Sequence, residues 1–424
     1  MIKLPNGFDN YQPRTESEYL DVEIREMPEG VEVDCMYNSL AVASDDRLYL
    51  GTCRTNGSAH ILRYDPRRGQ IEDVADMDEV IGDHRRGHDR QGKIHGRFFE
   101  GRDGWLYGGT HMDIALPVYG NYYDPHSYAG GHWFRLDPAS GRVEDLGIPR
   151  CGEGLLTYTM DVENGILYGV LWPSGYLYSY DVATGQSRNL GRTAVHLSRF
   201  ISCLSDGTVF YGMKDGFIGR YRRGDRCIKS LPQRLPLSLS ATDWRWRKGA
   251  LQCAIEWEKN RSFVAFAGNP YLITVRDNGE LDFKEFPCFK DGIYSTFELA
   301  IGHDRKVYYC NHHWGEPPIH AGRLYRLDPE SGENELVGQF RCGELTDFRH
   351  ISGGAISSDG TTLYYFALVP KDLRDRPDLT FERLSIENEQ FALGKRPIIW
   401  LREYFKPVLV IARLQPAEHL TEGK

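Results

Sequence analysis

One turn is written four times in this chain: Tyr64-Asp65-Pro66-Arg67-Arg68-Gly69, Leu136-Asp137-Pro138-Ala139-Ser140-Gly141, Tyr180-Asp181-Val182-Ala183-Thr184-Gly185 and Leu327-Asp328-Pro329-Glu330-Ser331-Gly332. Each copy closes an apolar-alternating run and opens another. A second turn rhymes as well, in Ser44-Asp45-Asp46, Gly101-Arg102-Asp103-Gly104, Ser205-Asp206-Gly207 and Ser358-Asp359-Gly360. Runs of alternating apolar residues bounded by Gly, Pro, Asn and Asp are strand signals. Multi-strand units recurring every ~40–50 residues are the mark of propellers and related arrays.

Read in register, the units are seven. Their second strands include Leu48-Tyr49-Leu50-Gly51-Thr52, Leu106-Tyr107-Gly108-Gly109-Thr110, Ile166-Leu167-Tyr168-Gly169-Val170, Val209-Phe210-Tyr211-Gly212, Val307-Tyr308-Tyr309-Cys310 and Leu363-Tyr364-Tyr365-Phe366, and a degenerate fifth unit runs through Ser262–Val275. The expected fold is all-β, a seven-bladed β-propeller of four-stranded antiparallel blades, which protects its sheet edges by radial closure. All 424 residues are read as a single domain, with a charged insertion at about 371–400 in the last blade. Aromatics at 12% and 45 glycines suit many strands and tight turns.

Net charge of −9 argues against a nucleic-acid footprint, while local clusters of basic residues still leave room for an anionic ligand. No apolar run of ~18 residues is present, so no membrane-spanning helix is expected. The start of the chain has no apolar signal core, which fits a cytoplasmic protein or a trimmed secreted one. Nine cysteines without a CxxC pattern suggest reduced, mostly buried thiols.

In a blade, the loop between the second and third strands and the linker into the next blade open on one face. The Asp-Pro-x-x-Gly and Ser-Asp-Gly turns occupy the other. Sorted this way, the unusual residues share one mouth: His95, His111, His132, Tyr176, Arg192, Arg199, Arg245, His350, and the group Cys310, His312, His313, His320. Imidazoles, phenols and guanidinia dominate there, and no carboxylate pair of the kind most glycosidases need stands out. Arginine forks bind carboxylates, and His or Tyr can move protons. That set suits β-elimination at a uronic acid. Tyr176 also fits the alternating run Tyr176, Tyr178, Tyr180 as a strand aromatic, and His95 fits a scaffold role. Trp246 between Arg245 and Arg247 suits either a sugar-stacking platform or core packing with snorkelling arginines. Cys310, His312 and His320 have donor types that zinc prefers. A structural zinc or another divalent metal is therefore considered there, and no organic cofactor is implied.

Lys93-Ile94-His95-Gly96, Leu106-Tyr107-Gly108-Gly109-Thr110-His111 and the Tyr176…Gly191-Arg192 spacing resemble the seven-bladed propeller polysaccharide lyases. That group includes the ulvan lyases and the lyases that cut rhamnose–glucuronate linkages, with oligogalacturonate lyases more distant. The resemblance implies His111 and His132 as a histidine pair, Tyr176 as a proton-handling group and Arg192, or Arg199 in the same linker, as neutraliser of the uronate carboxylate. It implies an acidic glycan as substrate, and His95, Arg199, Arg245, Trp246 and His350, read from their place at the same mouth, are expected as further substrate contacts. A glycoside hydrolase or a non-catalytic glycan-binding propeller are the alternatives on the same fold.

Overall fold

The computed structural model describes residues 18–55, 57–82, 90–112, 128–193, 201–213, 216–235, 253–267, 269–286, 299–310, 322–372 and 401–414. Its strands form radial units of four. Blade 1 comprises Leu40–Val42, Leu48–Gly51, His60–Asp65 and Gln70–Asp76. Blade 2 has a broken inner strand, Lys93–Ile94 and Phe99–Glu100, then Leu106–His111, Trp133–Leu136 and Val143–Gly147. Blade 3 runs Gly154–Asp161, Ile166–Trp172, Tyr176–Asp181 and Gln186–Arg192. Blades 4, 5 and 6 begin at Ile201, Cys253 and Ala300 and end at Arg234, Glu285 and Arg341. Blade 7 is assembled from both ends of the described chain. Arg349–Ile356, Thr362–Pro370 and Phe405–Arg413 are completed by Tyr19–Glu26, which pairs antiparallel with Phe405–Arg413. Residues Tyr19–Asp21 also run parallel to Gln339–Arg341, so this strand joins blade 7 to blade 6. Of the expected insertion only Lys371 and Asp372 fall within the described residues.

The repeated turn has a common physical cause. In all four copies the glycine N–H donates to the aspartate carbonyl at 2.8 Å, and the aspartate carboxylate accepts backbone N–H groups inside the turn. Gly69, Gly141, Gly185 and Gly332 have φ of 67°, 76°, 68° and 86°, a region open to glycine at no steric cost. The second turn is tied in the same repeated way. Tyr49, Tyr107 and Tyr308 donate their hydroxyls to Asp45, Asp103 and Asp304 at 2.8, 2.6 and 2.9 Å. Burial, with the neighbouring aspartate, pushes each of these phenols up to about 12, so they remain donors.

Between blades the sheets meet through apolar faces. Trp133 is fully buried between blades 2 and 3 with Tyr107, Leu155, Tyr158, Leu167 and Tyr180. Each such side chain contributes about 1.5–3 kcal/mol by burial. Blades 1 and 2 are also stitched at the mouth, where Ile94 N donates to Thr52 O and Asn38 N to His95 O. Arg97 spans the centre of the ring, its Nη2 donating to Leu299 O at 2.7 Å and Gly354 O at 3.2 Å, and so links blade 2 to blades 6 and 7. Among the described residues no helix is long and apolar enough to cross a membrane.

Candidate functional site

At the mouth of blade 3, the strand ending at Trp172 turns through Pro173, Ser174 and Gly175 into the strand that starts at Tyr176. Gly175 closes the turn at φ 72°, its N–H on Leu171 O at 2.8 Å. Tyr176 and Arg192 are direct cross-strand partners, which places both side chains on one side of the sheet. Arg192 Nε donates to Ser174 O at 2.8 Å, and Ser174 Oγ donates to Glu153 Oε2. Arg150 Nε lies 3.0 Å from Glu153 Oε1 and holds its guanidinium 4.8 Å from the Tyr176 ring centroid. Glu153 is buried and tied through both oxygens. The Tyr176 hydroxyl and the terminal nitrogens of Arg192 make no bond to other described residues. A phenol and a guanidinium fork thus stand side by side at the rim, braced from below.

Inward from that rim runs a line of rings. Trp172 meets His111 edge-on at 5.8 Å between centroids, His111 meets His95 at 5.6 Å, His95 lies against Tyr37 at 4.1 Å, and Tyr37 meets His350 at 6.0 Å. The line crosses blades 3, 2, 1 and 7. His111 is 2% exposed, and a Cβ on Gly154 would lie 1.8 Å from its Nδ1, so blade 3 packs directly on the imidazole. His350 donates Nε2–H to Met36 O at 3.1 Å and sits at φ 47°, a left-handed conformation uncommon for histidine.

His132 goes elsewhere. Its backbone N–H donates to Thr110 Oγ1 at 2.8 Å, which pairs it with Thr110 rather than His111, and successive strand residues alternate faces. His111 therefore faces blade 3, while His132 turns to the other side of blade 2, with Nδ1 2.8 Å from Asp145 Oδ1. Blade 1 holds the same arrangement: His60 N donates to Thr52 Oγ1 at 2.7 Å, and His60 Nδ1 lies 3.0 Å from Asp73 Oδ2. The pair is a unit of the repeat. Burial raises the Asp145 carboxyl, but the His132 hydrogen bond and the Gly147 N–H outweigh it and hold the group below its ordinary value. Burial disfavours the His60 cation, yet Asp73 and Asp76 prevail and raise it.

Of the other sequence-predicted residues, Arg199, Arg245, Trp246, His312 and His320 lie outside the described residues. Cys310 is buried in the cluster shared by blades 6 and 7, where burial raises its thiol well above the ordinary range. Among the described residues no group of three potential metal ligands occurs. Sequence reading passed over Arg150, Glu153 and Ser174. All three are in the linker and turn that open on the mouth, so the face rule that singled out Arg192 applied to them equally. It also passed over Cys35 and Cys53, which the structure sets beside the ring line next to Lys93.

No family model matches this sequence, and no curated protein matches it. Solved structures do. A virginiamycin B lyase from Staphylococcus aureus superposes with a TM-score of 0.54 at 13% identity, over 81% of this chain and 94% of that one. A fungal alcohol oxidase of the AA5 family, in complex with copper, gives 0.56 at 12%, over 95% and 79%. The Swd1 β-propeller domain from Myceliophteria thermophila gives 0.52 at 12%, over 81% and 96%. At these identities the likeness establishes the fold, a β-propeller.

Proposed function

We propose that this β-propeller is a polysaccharide or oligosaccharide lyase that cleaves a 4-linked glucuronate-containing glycan, rhamnose–glucuronate linkages first, by β-elimination. The reading is carried by the Tyr176–Arg192 pair at the blade 3 rim, whose phenol oxygen and terminal guanidinium nitrogens make no bond to other described residues. A virginiamycin B lyase on the same fold supports the general class of reaction.

The C5 proton of a uronate is weakly acidic until the charge of the adjacent carboxylate is offset. Arg192 supplies that offset with its terminal nitrogens, in the planar geometry that matches a carboxylate. Tyr176, as the base, takes the C5 proton with its phenolic oxygen as the electron pair forms the C4–C5 double bond. The C4–O4 bond breaks, and O4 leaves with the proton that Tyr176 returns. The Arg150 guanidinium, fixed over the ring by Glu153, holds the phenol in place at the rim. His111 acts as a positioning residue, packed under the Trp172 side of the turn that presents Tyr176. His132 is assigned to the scaffold, because His60 repeats its bonds.

Among the described residues of this rim Glu153 has both oxygens engaged, which favours elimination over hydrolysis by two carboxylates; Asp113 and Glu298 lie outside the described residues. The test is a panel of ulvan and gum arabic oligosaccharides, analysed by mass. Elimination gives one product lighter by a water than the hydrolysis product. Saturated products alone would replace the lyase by a hydrolase, and binding without any cleavage would leave a glycan-binding propeller.

A further inference from the structure

Beside the ring line, four residues from neighbouring strands stand in one row at the mouth. Cys35 bridges Cys53, Cys53 bridges Lys93, and Lys93 pairs with His111. Cys35 and Cys53 exchange both backbone hydrogen bonds, Cys35 N to Cys53 O at 3.4 Å and Cys53 N to Cys35 O at 2.9 Å. In such a hydrogen-bonded antiparallel pair the Cα atoms are about 5.5 Å apart. That separation falls within the range a disulfide spans, about 4.4–6.8 Å. Both are reduced thiols in this structure, 4% and 1% exposed.

We infer that Cys35 and Cys53 are a redox-active dithiol, with Cys35 the attacking thiolate and Cys53 the resolving thiol, which hydroperoxides convert to a disulfide at the propeller mouth. The two thiols differ in the way this chemistry needs. The neighbouring Cys53 thiol, with His350 and Lys93, holds the Cys35 thiol well below the ordinary range in spite of its burial. Burial, and the negative charge on Cys35, push Cys53 upward. His350 reaches this position from an uncommon left-handed backbone conformation, anchored by its bond to Met36 O, and Ser352 Oγ donates to the same carbonyl at 2.7 Å.

The step balances with hydrogen peroxide as oxidant. The Cys35 thiolate attacks one oxygen, the O–O bond breaks, and the departing hydroxide takes a proton and leaves as water. Cys35 then carries a sulfenic acid. Cys53 attacks that sulfur, its proton joins the leaving hydroxyl, and a second water departs. Two thiols have lost two electrons and two protons, and peroxide has gained them. The new bond ties the segment carrying Asp34–Asn38 to the end of the Leu48–Gly51 strand, at the point where Tyr37 packs on His95.

The test treats the folded full chain with substoichiometric hydrogen peroxide, quenches with an alkylating agent in denaturant, and maps peptides by mass spectrometry. The expected result is a Cys35–Cys53 cross-linked peptide that disappears on reduction, formed ahead of oxidation at the exposed Cys151 and Cys227. In Cys53→Ser, a dimedone probe should label Cys35 roughly tenfold more than it labels Cys53 in Cys35→Ser, as thiolate character dictates. His350→Gln should move the midpoint of Cys35 alkylation to higher pH. Thermal melts report whether each variant is folded, and the wild-type arm stands without them. Cys35 and Cys53 remaining fully alkylatable while Cys151 or Cys227 oxidises would overturn the inference, as would equal dimedone labelling in the two variants.

Discussion

At the residue scale, the proposed function rests on Tyr176 and Arg192, whose hydroxyl and terminal nitrogens make no bond to other described residues. Tyr176→Phe removes the proton-handling oxygen and keeps the ring under Arg150, so kcat should fall at least about 100-fold with KM little changed. Arg192→Ala should raise KM and lower kcat together, and Arg192→Lys should restore little, because a point charge does not reproduce the fork. Steady-state kinetics on a glucuronate oligosaccharide separates these outcomes. Asp34 offers a stability test. Burial, opposed by the Thr55 N–H, pushes its carboxyl up to about 6 from 3.8. The folded state therefore binds the proton more tightly, and stability declines as pH rises from 3.8 to about 6. Asp34→Asn should flatten that slope, worth about 3 kcal/mol at most, in denaturant melts across pH 4–7. At this scale the sequence already distinguished Tyr176 and Arg192 by their spacing and their place on the mouth. Histidine identity misleads more easily. His132 and His111 read alike in the sequence, and only the pairing of Thr110 with His132 shows that they face opposite ways. The Cys35–Cys53 approach depends on a bridge between segments with no shared motif, so it has no local sequence signal.

At the scale of the element, the blades reuse two devices. The Asp-to-Gly turn closes the third and fourth strands with one hydrogen-bond pattern, and it was readable because a positive φ demands glycine at a fixed offset. The Thr–His–Asp clamp was hidden by the different loop lengths between Thr52 and His60 and between Thr110 and His132. If the clamp is a unit of the repeat, His60→Ala and His132→Ala should each cost about 1–3 kcal/mol of stability and leave kcat within a few-fold of wild type. A catalytic His132 would instead lose turnover without losing stability. Their pH dependences should have opposite senses. The stabilisation from His60, whose folded value is raised above 6.5, is full below the unfolded value and lost as pH rises through the folded one. The contribution of Asp145, held below 3.8, is present above the unfolded value and lost as pH falls through the folded one.

Over the whole molecule, the ring closes where Tyr19–Glu26 becomes the outer strand of blade 7. Removing residues 1–26 would leave Phe405–Arg413 as an exposed apolar edge, a template for pairing with other chains. The truncated protein should melt less cooperatively and self-associate in light scattering, and a monomer of unchanged melting would contradict the closure. The repeat made the blades readable in the sequence, yet this closing strand carries neither repeated turn, so its place follows only from the pairing of Val22–Glu26 with Val408–Ala412. Closure also brings the Met36 carbonyl of the blade 7–blade 1 connection against His350, at the far end of the ring line. The most direct measurement of the central claim is ultraviolet absorbance during incubation with a rhamnose–glucuronate glycan. A rise from a 4,5-unsaturated uronate in the wild type, abolished in Tyr176→Phe and Arg192→Ala, is the predicted result. Chain cleavage without that absorbance, or a rise that survives both substitutions, would contradict it.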